Sequence, residues 1–333
     1  MINSTENLSL VSVIMPVYNG AMYLNEAITS ILGQTYSNFE FIIINDGSTD
    51  RSEEIILSFS DSRIVYVKNP ENYRLIKTLN LGFSMAKGRY IARMDADDIS
   101  HPDRLQKQVQ FLEDNEEYGL VGSGVNLLNG ENKSQLLYHT DHESLKFAMA
   151  FYCPFIHPSV MLRKNVLEGM DVIFDNRYLH AEDYELWTRL GFKTKMANLP
   201  EYLLDYRVHD SQISSQHNLH QTDIANKIRR NYLKNYFGCE VEEYLFTFKL
   251  SETEKSLTSN LIEVKKLYQL NQKNTIFVGD NFNRFLIKLW KDLFTESSKL
   301  TLKHYFYLLS STITYKSNWT LKQLFSVLVK LVK

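Results

Sequence analysis

What restricts this chain most is an alternation running through its first half: short β-branched apolar runs, each ending in polar residues, separated by segments whose apolar positions recur at helical spacing. That order builds a mostly parallel sheet with crossover helices on its faces. The runs Val11 to Met15, Phe39 to Ile44, Ile64 to Val67, Tyr90 to Met94 and Leu120 to Gly124 are the expected strands, the first closed by Pro16. Phe39 to Ile44 is almost unbroken apolar, as a strand covered on both faces must be. Helices are expected from about Tyr23 to Gln34, where Leu24, Ala27, Ile28, Ile31 and Leu32 share a face, from Leu75 to Ala86, and from Pro102 to about Asn115. Ser159 to Leu162 and Tyr202 to Val208 also read as extended.

In an open α/β sheet, ligands bind beyond the carboxyl ends of the strands. Three polar clusters fall there: Pro16-Val17-Tyr18-Asn19, Asp46-Gly47-Ser48 and Asp95-Ala96-Asp97. Each alone is also an ordinary turn, but together they converge on one crevice. Asp95 and Asp97 are the most informative, because residues i and i+2 leaving a strand point the same way. Two such carboxylates suit a hard cation shared with diphosphate oxygens, Mg²⁺ or Mn²⁺. A solvated acidic turn with Asp98 as a helix cap is the plain alternative.

At 333 residues there is room for a large domain and a smaller one. The polar stretch from Gln212 to His220 sets the expected boundary near residue 217, giving domains 1–217 and 218–333, the second mainly helical. In it Phe282, Phe285, Leu286, Leu289, Trp290, Leu293 and Phe294 keep helical spacing, as do Leu321, Leu324, Phe325, Leu328, Leu331 and Val332. Nine cations stand against Asp292 and Glu296 between Asn281 and Lys333. Basic residues beside such stripes suit an anionic membrane surface; stripes packing on each other or on a second subunit are the alternative. The formal net charge of -2 gives no reason to expect a nucleic-acid partner. Cys153 and Cys239 have no metal or redox spacing and read as reduced thiols. The polar Met1 to Leu10 has no secretory pattern, and no run reaches the ~18 apolar residues of a spanning helix. A cytoplasmic protein is expected, with any membrane contact peripheral, at the inner face.

The segments VSVIMPVYNG, FIIINDGSTD, GRYIARMDADD, HPSVMLRK, AEDYELWTRL and YRVH, in this order, resemble family 2 glycosyltransferases of the GT-A fold over about residues 10 to 210. The resemblance implies a Rossmann-like α/β catalytic domain with a C-terminal helical extension, acting on a nucleotide-sugar donor and a glycan, lipid-linked or glycoprotein acceptor. It implies that Pro16, Val17, Tyr18, Asn19 and Asp46 hold the nucleoside, with Asp46 on a uracil base of a UDP-sugar. Asp95 and Ala96 would meet the ribose or the metal, Asp97 would be the principal ligand of Mn²⁺ or Mg²⁺, and His209 a further one. The pair Glu182-Asp183 ahead of Trp187 matches the family's second acidic motif, which favours Asp183 as general base, and His157-Pro158 would either shape the acceptor side or serve as a purely structural strand entry. Where relatives often carry Asn-x-Gly this chain has Asn72-Tyr73-Arg74, so Arg74 or Lys77 either meets the donor or faces solvent.

The chemistry implied is direct displacement at the anomeric carbon, with inversion. A sugar-nucleotide pyrophosphorylase would want a Gly-rich loop after the first strand, where only Gly20 stands. A binding subunit that has lost catalysis is the other alternative, opposed by the full set Asp46, Asp95, Asp97 and Asp183.

Overall fold

The computed structural model describes residues 8–130, 132–209, 218–240, 254–278 and 281–296, with 304, 308 and 327. Its strands are β1 (Val11–Val17), β2 (Phe39–Asn45), β3 (Ile64–Lys68), β4 (Tyr90–Arg93), β5 (Ile99–Ser100), β6 (Tyr118–Asn129), β7 (Asn132–Leu136), β8 (Met161–Arg163) and β9 (Lys195–Arg207). They form one nine-stranded sheet in the order β3-β2-β1-β4-β8-β6-β9-β5, with β7 on β6. The helices are α1 (Leu24–Leu32), α2 (Ser52–Leu57), α3 (Leu75–Met85), α4 (Arg104–Asp114), α5 (His142–Ala148), α6 (Glu182–Leu190), α7 (Asn218–Phe237), α8 (Glu254–Asn274) and α9 (Asn281–Glu296).

The first four strands pair in parallel, as the alternation requires. Val13, Met15, Phe41 and Ile43 face one core with Ala27, Ile28 and Ile31 of α1. The opposite face is also covered: a Cβ on Gly82 of α3 would sit 2.6 Å from Ile14 and 2.9 Å from Ile44. Both faces of β1 and β2 are therefore dry, which is why neither strand alternates in polarity.

Beyond β4 the sheet turns mixed. β8 runs antiparallel to β4 and β6, while β6 and β9 pair in parallel across a long insertion. β9 is far longer than the expected Tyr202 to Val208. Its register slips where Ser123 opposes Leu199 and Gly124 opposes Tyr202. The residues passed over include Pro200, which has no N–H for the ladder, so a bulge there extends the strand rather than ending it.

Two boundaries need correction. Pro16 does not close the first strand; it pairs with Ile44 and the strand continues to Val17. Pro102 does not open a helix; α4 starts at Arg104, and the Gln34 side chain caps it by accepting from Leu105 N at 3.0 Å.

The chain divides into two compact units, one of residues 1–148 and 152–225, the other of 149–151 and 226–333. In the second, Phe282, Leu286, Leu289, Trp290 and Leu293 of α9 are buried. Phe282 stacks on Phe237 and Phe277, and Asn271 Nδ2 donates to Asn283 Oδ1 at 3.1 Å. The stripe from Leu321 to Val332 and the polar stretch 212–217 lie outside the described residues. Among those described, no helix is long and apolar enough to cross a membrane.

Candidate active site

The carboxyl ends of β1, β2 and β4 lie side by side. At the first, Asn19 takes φ 51°, a left-handed conformation that asparagine tolerates. Its amide donates to Ser48 Oγ at 3.0 Å and its side-chain oxygen accepts from Thr49 N at 2.8 Å, so the loops after β1 and β2 lock together. Pro16 is half-buried, Val17 buried and Tyr18 exposed at the crevice. Asp46 is buried; its Oδ1 accepts from Asn69 Nδ2 at 2.7 Å and Tyr73 N at 2.9 Å. Gly47 at φ 70° is obligatory, since a Cβ there would lie 2.5 Å from the Glu71 carbonyl carbon. Asp46 thus also anchors the loop ahead of α3.

In that loop Arg74 adopts φ 68°, ψ 159°, a region that is nearly glycine-only. This is where the resembling sequences often carry glycine. Arg74 is exposed, and Lys77 sits with Nζ 4.3 Å from the Tyr73 ring centroid. Arg74→Gly should relieve strain of about 1–3 kcal/mol, offset by about 0.5–1 kcal/mol of added unfolded-state entropy. The urea midpoint is expected to rise; a lower midpoint would show that the Arg74 backbone carries no strain.

The loop after β4 brings three carboxylates together. Ligand oxygens of Asp95, Asp97 and Asp98 all lie within 4.8 Å of one another. Asp95 pairs with Arg93, whose side chain is buried. Burial raises the Asp95 carboxyl, with Arg93 opposing and Asp97 adding to the rise. Burial lifts Asp98 well above the usual range, and both neighbouring aspartates add to this. Asp98 Oδ1 accepts from Arg207 N at 3.0 Å, whereas its buried Oδ2 has no hydrogen-bond partner. Asp98 is therefore not a helix cap. His209 Nε2 lies 2.9 Å from Asp97 Oδ2. Its ring packs 5.7 Å from Tyr23, over which the Arg207 guanidinium lies at 4.4 Å, while Arg207 also pairs with Glu26. β9 thus carries His209 to the acidic loop. Ala96 lies close by, 3.4 Å from where a Cβ on Gly20 would stand. An oxygen-rich donor set with one imidazole and an unpartnered buried oxygen fits Mn²⁺ or Mg²⁺, which would offset the crowded negative charge.

Glu182 and Asp183 open α6. Burial raises Asp183 to about 6, and burial followed by the neighbouring Asp183 charge raises Glu182 to about 7. Arg93 lowers and Asp95 raises the Asp183 carboxyl, so the acidic pair lies within electrostatic reach of the acidic loop. Asp183 is half-buried and its Oδ2 lies 4.0 Å from Cys153 Sγ, while Glu182 is buried with Oε2 unpartnered. His157 packs against Phe174 and Trp187, and burial holds it neutral, well below the usual histidine range. Both cysteines are free thiols.

Comparison with known proteins gives the family. Residues 12–170 match the family model described as glycosyl transferase family 2. An uncharacterized glycosyltransferase of Haemophilus influenzae is 36% identical over 310 residues, covering 86% of this chain and 94% of that one. The chain belongs to glycosyltransferase family 2. Another relative, the O-antigen biosynthesis glycosyltransferase WbnJ of Escherichia coli, is 34% identical over 249 residues, covering 70% of this chain and 94% of its own. The fold is also that of S. aureus TarS residues 1–349, solved in complex with UDP-GlcNAc, at TM-score 0.57 and 14% identity over 85% of this chain and 90% of that one. The catalytic unit is a GT-A glycosyltransferase domain followed by helices.

Two members of this glycosyltransferase crevice escape a reading of the sequence. Asp98 looks like a turn residue until Arg207 reaches it from β9. Arg93 looks like a solvated cation at a strand end, yet it is 2% exposed. A buried charge beside three carboxylates leaves no local periodic signal. Glu182 offers a separate test of the burial argument. Its carboxyl is raised in the fold, so its stabilising contribution is full below the unfolded value of 4.5 and is lost as pH rises through about 7. Glu182→Gln should therefore raise the unfolding free energy from urea titration at pH 8 by on the order of 1–3 kcal/mol, and change it little at pH 4. Equal shifts at both pH values would mean that Glu182 is not held protonated.

Proposed function

We propose that this glycosyltransferase moves a sugar from a UDP-sugar to a hydroxyl of an acceptor glycan, with inversion at the anomeric carbon. The observation that carries the mechanism is Asp183, a half-buried carboxylate raised to about 6 within electrostatic reach of the acidic loop. A carboxylate of that strength is ionised at neutral pH and basic enough to accept a hydroxyl proton as the acceptor oxygen attacks. Direct attack on the face opposite the leaving group inverts the configuration. Tyr18 and Asn19 would border the nucleoside, Asp46 would support the base-side loop, and Arg74 or Lys77 would meet the diphosphate. Asp95 and Asp97, joined by Asp98 and His209, would hold Mn²⁺ or Mg²⁺. When bound there, such an ion would supply charge neutralisation for the departing diphosphate. The O-antigen role in the name of WbnJ supports a glycan acceptor.

The test is a panel of UDP-, GDP- and dTDP-sugars with Mn²⁺, scored for nucleoside diphosphate release and for the anomeric configuration of the product by NMR. UDP release that rises with added acceptor is expected. Tight UDP-sugar binding without release under any condition would make the chain a nucleotide-sugar-binding subunit instead.

A further inference from the structure

Beside the candidate base lies a surface that the chemistry above does not use. Tyr138 and Tyr152 pack with ring centroids 5.6 Å apart and planes 34° apart, neither ring fully covered. Tyr152 is 37% exposed. The next residue in the chain is Cys153, whose Sγ lies 4.0 Å from Asp183 Oδ2. Consecutive Cα atoms are only about 3.8 Å apart, so the aromatic pair begins one residue from the group that touches the carboxylate.

The two tyrosines come from separate segments held in fixed relation. Asn198 of β9, 3% exposed, donates through Nδ2 to His139 O at 2.9 Å and to Pro154 O at 3.1 Å. One buried amide thus ties the residue after Tyr138 to the segment two residues past Tyr152. A second bond, from Asn198 N to Thr140 O at 3.3 Å, holds the first segment again. The two backbone segments that carry the rings are thus tied to one strand, and preorganisation of that kind lowers the entropy lost on binding.

We infer that Tyr138 and Tyr152 form the acceptor subsite, and that the acceptor hydroxyl belongs to a pyranose ring whose C–H face lies on these rings. This deepens the transferase assignment above and rests on Asp183 being the base. An aromatic face is electronegative and attracts the partly positive C–H edge of a sugar, whereas a flexible peptide or an alkyl alcohol offers no flat face to match. The phenolic hydroxyls, one on each ring, add hydrogen-bonding capacity at the rim for the equatorial hydroxyls of such a ring.

Saturation-transfer NMR tests this with the full-length protein, UDP and Mg²⁺. The probes are the methyl glycosides of glucose, galactose, mannose and N-acetylglucosamine, set against a serine-threonine peptide and octanol. At least one glycoside should show transfer to its ring protons. Tyr152→Ala and Tyr138→Ala should each weaken its binding about two- to tenfold, and Tyr152→Phe should keep most of it. UDP release from a UDP-sugar into water, measured on separate UDP-free samples of the same preparations, should be unchanged by both alanine variants. No transfer to any glycoside, equal transfer in wild type and Tyr152→Ala, or Tyr152-dependent binding of the peptide or octanol instead would overturn the subsite. Should an alanine variant unfold, Tyr152→Phe and Tyr138→Leu decide it: loss in the leucine variant alone supports the platform, and equal binding in both overturns it. Failure of the base assignment looks different, since Asp183→Asn would then keep full transfer whatever the glycosides do.

Discussion

Asp183→Asn is expected to slow sugar transfer roughly 10²–10⁴-fold, the usual contribution of general-base catalysis, while leaving donor affinity within about twofold. The amide keeps the shape and can still accept from Tyr184 N, the bond that Asp183 Oδ1 makes at 2.7 Å. What it loses is the ability to take a proton. The pH profile carries the sharper signature. A base raised to about 6 is ionised above that value, so wild-type kcat/KM should fall as pH drops through about 6. In the asparagine variant that acid limb should vanish from the residual rate. Steady-state transfer measured from pH 5 to pH 8 decides the matter. If Asp183→Asn transfers at the wild-type rate and Glu182→Gln does not, the role passes to Glu182; if both stay active, base catalysis by this helix start is wrong.

The second large effect is at the acidic loop. Asp97→Ala should abolish turnover, and Asp95→Ala should be nearly as damaging, because several kcal/mol of charge stabilisation at the diphosphate depend on the ion these residues would hold. Excess chelator should silence the wild type, and Mn²⁺ or Mg²⁺ should restore it. Binding must change with activity: titration calorimetry with Mn²⁺ in the presence of UDP should show a site in the wild type and none in Asp97→Ala. The structure adds Asp98→Asn to the series. This change keeps an oxygen for the Arg207 N–H but removes a charge from a trio within 4.8 Å, so it should weaken the ion without unfolding the loop. Full activity in chelator would refute the metal assignment outright.

Much of this crevice is legible from local pattern alone. The strand runs at Val11, Phe39, Ile64 and Tyr90 are short, apolar and bounded by polar residues, so their ends could be found without knowing their neighbours. The Asp95 and Asp97 pair is found from its place just beyond a strand end, although β4 stops at Arg93 and a turn, not the strand period, brings the two together. Legibility fades where long-range pairing decides. β9 is interrupted by Pro200 and Glu201, and only its partner β6 shows that Lys195 and Arg207 belong to one strand. The same holds for His209, which nothing local directs to Asp97, and for Asp98, whose single hydrogen-bond donor comes from a residue far along the chain. Arg74 is a different kind of case. Its sequence context marks a departure from the resembling pattern, but only the backbone angles show that this departure falls on a position suited to glycine.

The parallel pairing of β6 with β9 also dictates an order of assembly during synthesis. Asp95, Asp97 and Asp98 leave the ribosome long before Arg207 and His209, and the sheet cannot receive β9 until the whole intervening segment has emerged. Until then the early strands can pair, but the three carboxylates face water without the backbone N–H and imidazole that later meet them. Closing so long a loop is slow and entropically costly, so this step belongs late in folding. A nascent or prematurely terminated chain would therefore be an incomplete receptor for the cation and donor, and competence would arrive only with the last strand.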